Sequence, residues 1–300
     1  MKPRSFAPHL ALAAAVVLAF AGAPRPVLAA AADTALVVPD VPEYQRLLDD
    51  YLVVVSKRGE PLDTRFDYER LYDVRTRPET FARIHRQLAA ATPSRMDRAT
   101  RLAWAINTYN FLVLENATDY LLVPGRGRLR WKSVQDIHLR TGLFFKGETI
   151  EVEGVNYSLD DFERAFCLDG YDRSSGQAPP ATLDPRVHFA LVCGAMGCPP
   201  LLPRAYRADS LERQLEFATH NALALPRHLV LDPATKRVGV STLFSWYAAD
   251  FGGNVAAWAF VKRYAPKPVR AAIEAQKLQR PNRYVPWDWL LNQAPKKTDA

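Results

Sequence analysis

The sequence predicts an α+β fold: a mostly helical single domain with a few short strands, including a β-hairpin. Three observations lead there. Apolar residues recur at helical spacing through the N-terminal third and again near the C-terminus. Two short runs, the first rich in β-branched residues, flank Glu153-Gly154. No internal repeat or linker divides the chain after its first 41 residues.

Taken in order, Tyr44, Leu47, Leu48, Tyr51 and Leu52 mark the first helix, and a second is expected from Pro78 to Ala91. A third begins near Ser94–Asp97 and runs to about Glu115, with Leu102, Ile106, Tyr109 and Val113 at helical spacing. Arg126, Arg128, Arg130 and Lys132 alternate through a Gly-containing stretch and read as a solvated loop or strand face. Glu148–Val152 and Val155–Tyr157 form the hairpin. Ser158 then caps a helix whose first turn carries Asp160 and Asp161, which suits the positive end of the helix dipole. Asp169–Pro185 is a loop without the ligand spacing of a calcium site. His188–Cys193 (HFALVC) is expected to be a buried strand, Asp209–Leu223 a helix, and His228–Asp232 with Arg237–Ser241 two strands. Helices over Thr242–Asp250, Val255–Tyr264 and Pro268–Lys277 complete the pattern.

The first 29 residues read as a cleaved signal peptide. Lys2 and Arg4 precede a short apolar run, Leu10–Ala23, and Val27-Leu28-Ala29 fits a small-x-small cleavage site. The apolar run is shorter than the ~20 residues a spanning helix needs. A linker (30–41), a globular domain (42–293) and a frayed tail (294–300) follow, and the expected location is periplasmic or secreted. No transmembrane segment is expected in the mature chain. Losing Lys2, Arg4 and Arg25 lowers the formal charge from +7 to +4, too mild a balance to imply nucleic acid. An envelope component is the partner class that an exported location suggests.

The chemistry-bearing side chains concentrate between Asp184 and Pro200, where His188, Cys193 and Cys198 fall within 11 residues around a Gly-containing turn. A cysteine becomes a nucleophile when a nearby base or positive charge favours its thiolate, and His188 is the candidate base. A strand would send His188 and Cys193 to opposite faces, leaving Cys198 freer to fold back. The competing reading is a structural Cys193–Cys198 disulfide across the turn, with His188 a hydrogen-bonded core residue. Of the three cysteines, Cys167, Cys193 and Cys198, at least one stays unpaired within the chain. No metal or other cofactor is expected, since these residues follow no familiar zinc spacing. A second cluster, Trp104, Asn107 and Asn110, steps by three along one helix face. Asn107 is a candidate orienter of an imidazole, as in Cys-His-Asn enzymes, and Trp104 and Asn110 are candidate pocket residues. The alternative is a buried network in which the amides tie down loop backbone.

These motifs resemble domain of unknown function family 547. The resemblance is carried by Trp104-Ala-Ile-Asn107-Thr-Tyr109-Asn110, by Ser158-Leu-Asp-Asp-Phe-Glu163, by Asp184-Pro-Arg-Val-His188-Phe-Ala-Leu-Val-Cys193 with Cys198-Pro-Pro200, and by Asp288-Trp-Leu-Leu-Asn292. Phe66-Asp67-Tyr68 resembles an earlier motif, so the likeness runs in order from about Tyr44 to Asn292. It implies an exported bacterial or a plant protein whose chemistry is not established. Where the family usually has Ile-Glu-His and then Arg, this chain keeps Glu163 but has Arg164 and Leu168.

Two function classes follow. One is a thiol-dependent hydrolase or transferase acting on amide or ester bonds. Cys198 or Cys193 would be its nucleophile, His188 its base and Asn107 or Glu163 its orienter. The other is a non-catalytic envelope binding or assembly module with a structural disulfide.

Overall fold

A 24-residue helix, Arg98–Leu121, runs through the middle of the larger core. Its sequence is apolar on nearly every side, the composition of a helix surrounded by protein rather than lying on a surface. Asp97 caps it, accepting the Thr100 N–H at 3.0 Å. The computed structural model describes residues 42–72, 77–121, 132–136, 142–232, 236–278 and 283–296. The expected signal peptide and linker (1–41), the basic residues Arg126, Arg128 and Arg130, and the last four residues of the tail lie outside the described residues. The described residues belong to one compact unit. No helix among the described residues is long and apolar enough to cross a membrane.

Around the central helix pack Pro42–Tyr51, with Tyr44, Leu47 and Leu48 buried as their spacing predicts, and Arg77–Ala89. The hairpin forms between Glu148–Val152 and Val155–Ser158. At its turn Glu153 and Gly154 both have positive φ (49° and 79°), the twist that two-residue hairpin turns require. Ser158 caps the following turn of helix, Leu159–Phe162, by accepting the Asp161 N–H at 3.1 Å. The chain then widens into a π-helical turn at Glu163–Cys167.

The second core gathers Phe189, Ala222, Leu223 and the aromatic residues Phe244, Phe251, Trp258 and Tyr264. Beside it lies a three-stranded sheet. Leu229–Asp232 pairs antiparallel with Arg237–Ser241, which pairs parallel with Arg283–Val285. The third strand was not anticipated, and neither was the antiparallel pair Leu52–Val54 with Thr64–Phe66. These strands are only three residues long, too short to show alternation. The α+β class, mostly helical with short strands, is what the molecule has.

The expected strand His188–Cys193 does not form. Pro185–Phe189 is a short 3-10 helix, and Ala190–Cys193 continues without strand pairing. The cause is local: Asp184 accepts the Arg186 N–H at 3.0 Å, and Pro185 fixes the first turn. The run is apolar because it lies at the seam between the two cores. Val187, Ala190 and Leu191 belong to one and Phe189 to the other. A buried irregular segment must still satisfy its backbone. Asn110 does so here, donating to the Ala190 carbonyl and accepting the Val192 N–H, both at 2.9 Å.

Candidate active site

The loop Cys193–Cys198 is fixed from outside by the C-terminal segment. Met196 N–H donates to the Leu290 carbonyl at 2.7 Å and Gly197 N–H to the Asp288 carbonyl at 2.8 Å. Asn292 N–H returns a bond to the Gly194 carbonyl at 2.9 Å, while its side-chain oxygen accepts the Tyr68 hydroxyl at 2.9 Å. Phe66–Tyr68 and Asp288–Asn292, over 200 positions apart, thus meet at the cysteine loop. Gly197 is required there, because a Cβ would come within 2.8 Å of the Trp287 ring. Gly194 turns the chain at φ +78°.

This loop brings the two sulfurs together. Cys193 Sγ and Cys198 Sγ are free thiols 2.7 Å apart. Cys193 is half-buried and Cys198 buried. The Cys193 N–H also donates to Cys198 Sγ at 3.1 Å. Although burial opposes charge on Cys198, the donors aimed at its sulfur hold its thiol below the usual range. Cys193, which donates to that sulfur and is itself desolvated, is pushed well above it. Behind the pair, Arg227 donates to the Cys198 carbonyl at 3.1 Å and binds Asp63 with two nitrogens, at 2.7 and 3.1 Å.

Both sulfurs line a cavity of about 280 Å³, together with His188, Glu163, Asp160, Tyr109 and Tyr247. His188 is sealed from solvent, and its Nε2 lies 2.8 Å from Asp250 Oδ2, whose side chain is equally sealed. The ring stacks on Tyr247 with centroids 3.9 Å apart and planes 21° off parallel. Arg173 completes the arrangement. Its Nε lies 3.4 Å from Asp250 Oδ2, its Nη2 3.1 Å from Glu163 Oε1, and its guanidinium 4.2 Å above the Tyr247 ring. Burial works against the charge on Arg173, but Glu163, Tyr247 and Asp250 hold it firmly cationic. Burial, and next the Glu163 carboxylate, push the phenols of Tyr109 and Tyr247 well above their usual range. Both are therefore neutral hydroxyl donors at the cavity wall. Trp246, Trp287 and Trp289 form its aromatic side, with ring centroids 4.9 to 6.0 Å apart.

Of the candidate site residues, Cys193, Cys198, His188 and Glu163 converge on this cavity. Trp104, Asn107 and Asn110 do not line it. Each of these three ties the central helix to another segment. The Trp104 indole N–H donates to the Leu88 carbonyl at 3.1 Å. The Asn107 amide bonds the Tyr206 carbonyl and N–H, both at 2.8 Å, and does not reach His188. Asn110 braces the backbone just before Cys193. No hydrogen bond joins His188 to either sulfur among the described residues, so the three groups share a cavity without touching. Asp250, Arg173, Tyr109 and Tyr247 were not among the candidates. Asp250 stands 62 positions from His188, and no spacing rule connects them. The described residues contain no group of three or more His, Cys, Asp or Glu arranged to hold a metal ion.

No curated protein and no solved structure matches the chain significantly. The family similarity covers Tyr109, Glu163, Arg173, His188, Cys193 and Cys198 and stops short of Asp250: residues 93–223 match the model of the family described as "Protein of unknown function, DUF547", the family that the sequence motifs resemble.

Proposed function

We propose that the protein is a thiol-dependent hydrolase or transferase of amide or ester bonds, acting outside the cytoplasm. One observation carries this reading: a histidine held by a buried carboxylate lines the same cavity as two free thiols whose sulfurs lie 2.7 Å apart. Cys193, the less buried sulfur, attacks the substrate carbonyl while its proton passes to Cys198 Sγ. The developing oxyanion accepts hydrogen bonds from the Tyr109 and Tyr247 hydroxyls, which stay protonated in this setting. With Nε2 engaged by Asp250, His188 uses Nδ1 to hand a proton to the leaving amine or alcohol. A thioester remains on Cys193. His188 then takes a proton from water, the hydroxide releases the acid, and Cys193 recovers its proton from Cys198. Asp250 fixes the ring and stabilises its charged form, the role of the carboxylate in nucleophile–histidine–carboxylate sites.

Incubation of the reduced protein with p-nitrophenyl esters of graded chain length, followed by intact and peptide mass spectrometry, tests the reading. An acyl adduct on Cys193 that forms and decays with p-nitrophenol release is expected. Unmodified Cys193 with every ester, or turnover unchanged in His188→Ala, would remove the proposed reaction.

A further inference from the structure

We propose that the Cys193–Cys198 dithiol gives the same cavity a second activity, the reduction of small dialkyl disulfides by thiol–disulfide exchange. This goes beyond the acyl-transfer reading and does not depend on it. It rests on the placement of two sulfurs in one loop that lines the cavity.

Exchange needs an accessible sulfur to attack and a second to resolve the mixed disulfide. Cys193 has the exposure, and Cys198 lies behind it in the same loop, 2.7 Å away. Pairs too far apart must move backbone to bridge, and this pair need not. The loop is already set by three backbone bonds to Asp288, Leu290 and Asn292 and by the packing of Gly197 on Trp287. Cys167, by contrast, does not line the cavity, and burial pushes its thiol well above the ordinary range.

The steps balance. Cys193 Sγ attacks one sulfur of R–S–S–R, the substrate S–S bond breaks, and one RS⁻ leaves and takes a proton. Cys198 Sγ then attacks Cys193 Sγ of the mixed disulfide, and the second RS⁻ leaves with the second proton. The substrate gains two electrons and becomes two thiols, and the protein pair is oxidised to a disulfide. A small dithiol returns it to the starting state.

The test uses the full chain, reduced with dithiothreitol and desalted under argon, then mixed with cystamine. The protein should lose the mass of two hydrogens, release two equivalents of cysteamine, and show Cys193 linked to Cys198 by peptide mapping. Cys198→Ser should instead stop as a mixed disulfide on Cys193, and Cys167→Ser should behave as the parent. A wild-type protein that keeps the mixed disulfide, or that leaves Cys193 unmodified, would overturn the exchange activity. Should Cys198→Ser fail to fold, the cysteamine yield of the wild-type protein decides alone. The acyl-transfer reading fails by a different mark, the absence of an ester-derived adduct.

Discussion

Asp250 Oδ2 lies 2.8 Å from His188 Nε2, and both side chains are closed to solvent. A buried carboxylate in that position sets which ring nitrogen carries hydrogen and leaves Nδ1 for the proposed reaction. It also receives Arg173 at 3.4 Å, while its other oxygen, Oδ1, has no hydrogen-bond partner among the described residues. The arrangement favours a ring held in one orientation between Asp250 and the Tyr247 face.

Asp250→Asn keeps the volume and removes the charge. The amide reverses the hydrogen-bonding preference at Nε2, so the ring is held in the wrong tautomer. Turnover of a p-nitrophenyl ester should fall ~10²- to 10⁴-fold, as happens when the carboxylate of such a site is neutralised. KM should change little, because Asp250 does not line the cavity. A steady-state comparison checks this, and a loss confined to KM would place Asp250 in binding instead.

Tyr109→Phe removes a hydroxyl that has no hydrogen-bond partner among the described residues. No buried partner is stranded, so the denaturation midpoint should stay within the range of a neutral substitution. The loss of one oxyanion donor should lower kcat ~10²-fold. Paired measurement of the midpoint and of kcat separates this from a general packing defect, which would move both.

Asn107 and Asn110 look alike in sequence and should differ in consequence. Each anchors two backbone groups, so Asn107→Leu and Asn110→Leu should each cost about 1–3 kcal/mol from the partners left unsatisfied. Only Asn110 supports the 190–192 backbone that leads into Cys193. Alkylation of Cys193 by iodoacetamide should therefore change in Asn110→Leu and remain parental in Asn107→Leu, measured well below each variant's midpoint.

The sequence made the helices legible because their apolar faces repeat over several turns: Tyr44, Leu47 and Leu48 are buried as spaced. The hairpin was legible from Glu153-Gly154. His188–Cys193 was misread because a buried irregular segment and a buried strand share the same apolar composition. What distinguishes them is the source of backbone hydrogen bonds, and here that source is Asn110, some 80 positions away. Distance in sequence likewise hid Asp250, 62 positions from His188, and with it the role of Arg173, which bridges Asp250 to Glu163. The cysteines and His188 were visible because reactive side chains stand out by type. Their partners are ordinary charged residues, and only the folded chain separates them from the rest of the surface.

Export is tested by N-terminal sequencing of the extracytoplasmic protein. The charged start, short apolar run and small-residue exit place the mature start between Ala30 and Asp33. An intact Met1 there would refute cleavage.

Acid stability should depend on His228. The ring is fully buried beside Phe189. Burial, and next the charge of Arg227, lower its pKa from 6.5 to about 3. In the unfolded chain the ring takes a proton as pH drops through ~6.5, and in the folded protein it does not until about pH 3. The unfolded state then binds more protons, so stability falls as pH falls across that window. Above the unfolded value the ring is neutral in both states and its contribution is flat. The whole effect is of order 4 to 5 kcal/mol, a large share of an ordinary domain's stability. His228→Leu removes the titrating group and fills the site with an apolar side chain of similar volume. Denaturant midpoints followed from pH 7.5 down to pH 4 should decline less steeply in His228→Leu than in the parent, with the two curves converging or crossing toward acid. Parallel curves would mean that His228 finds a proton-accepting partner when folded, and that the acid sensitivity arises from the carboxylates instead.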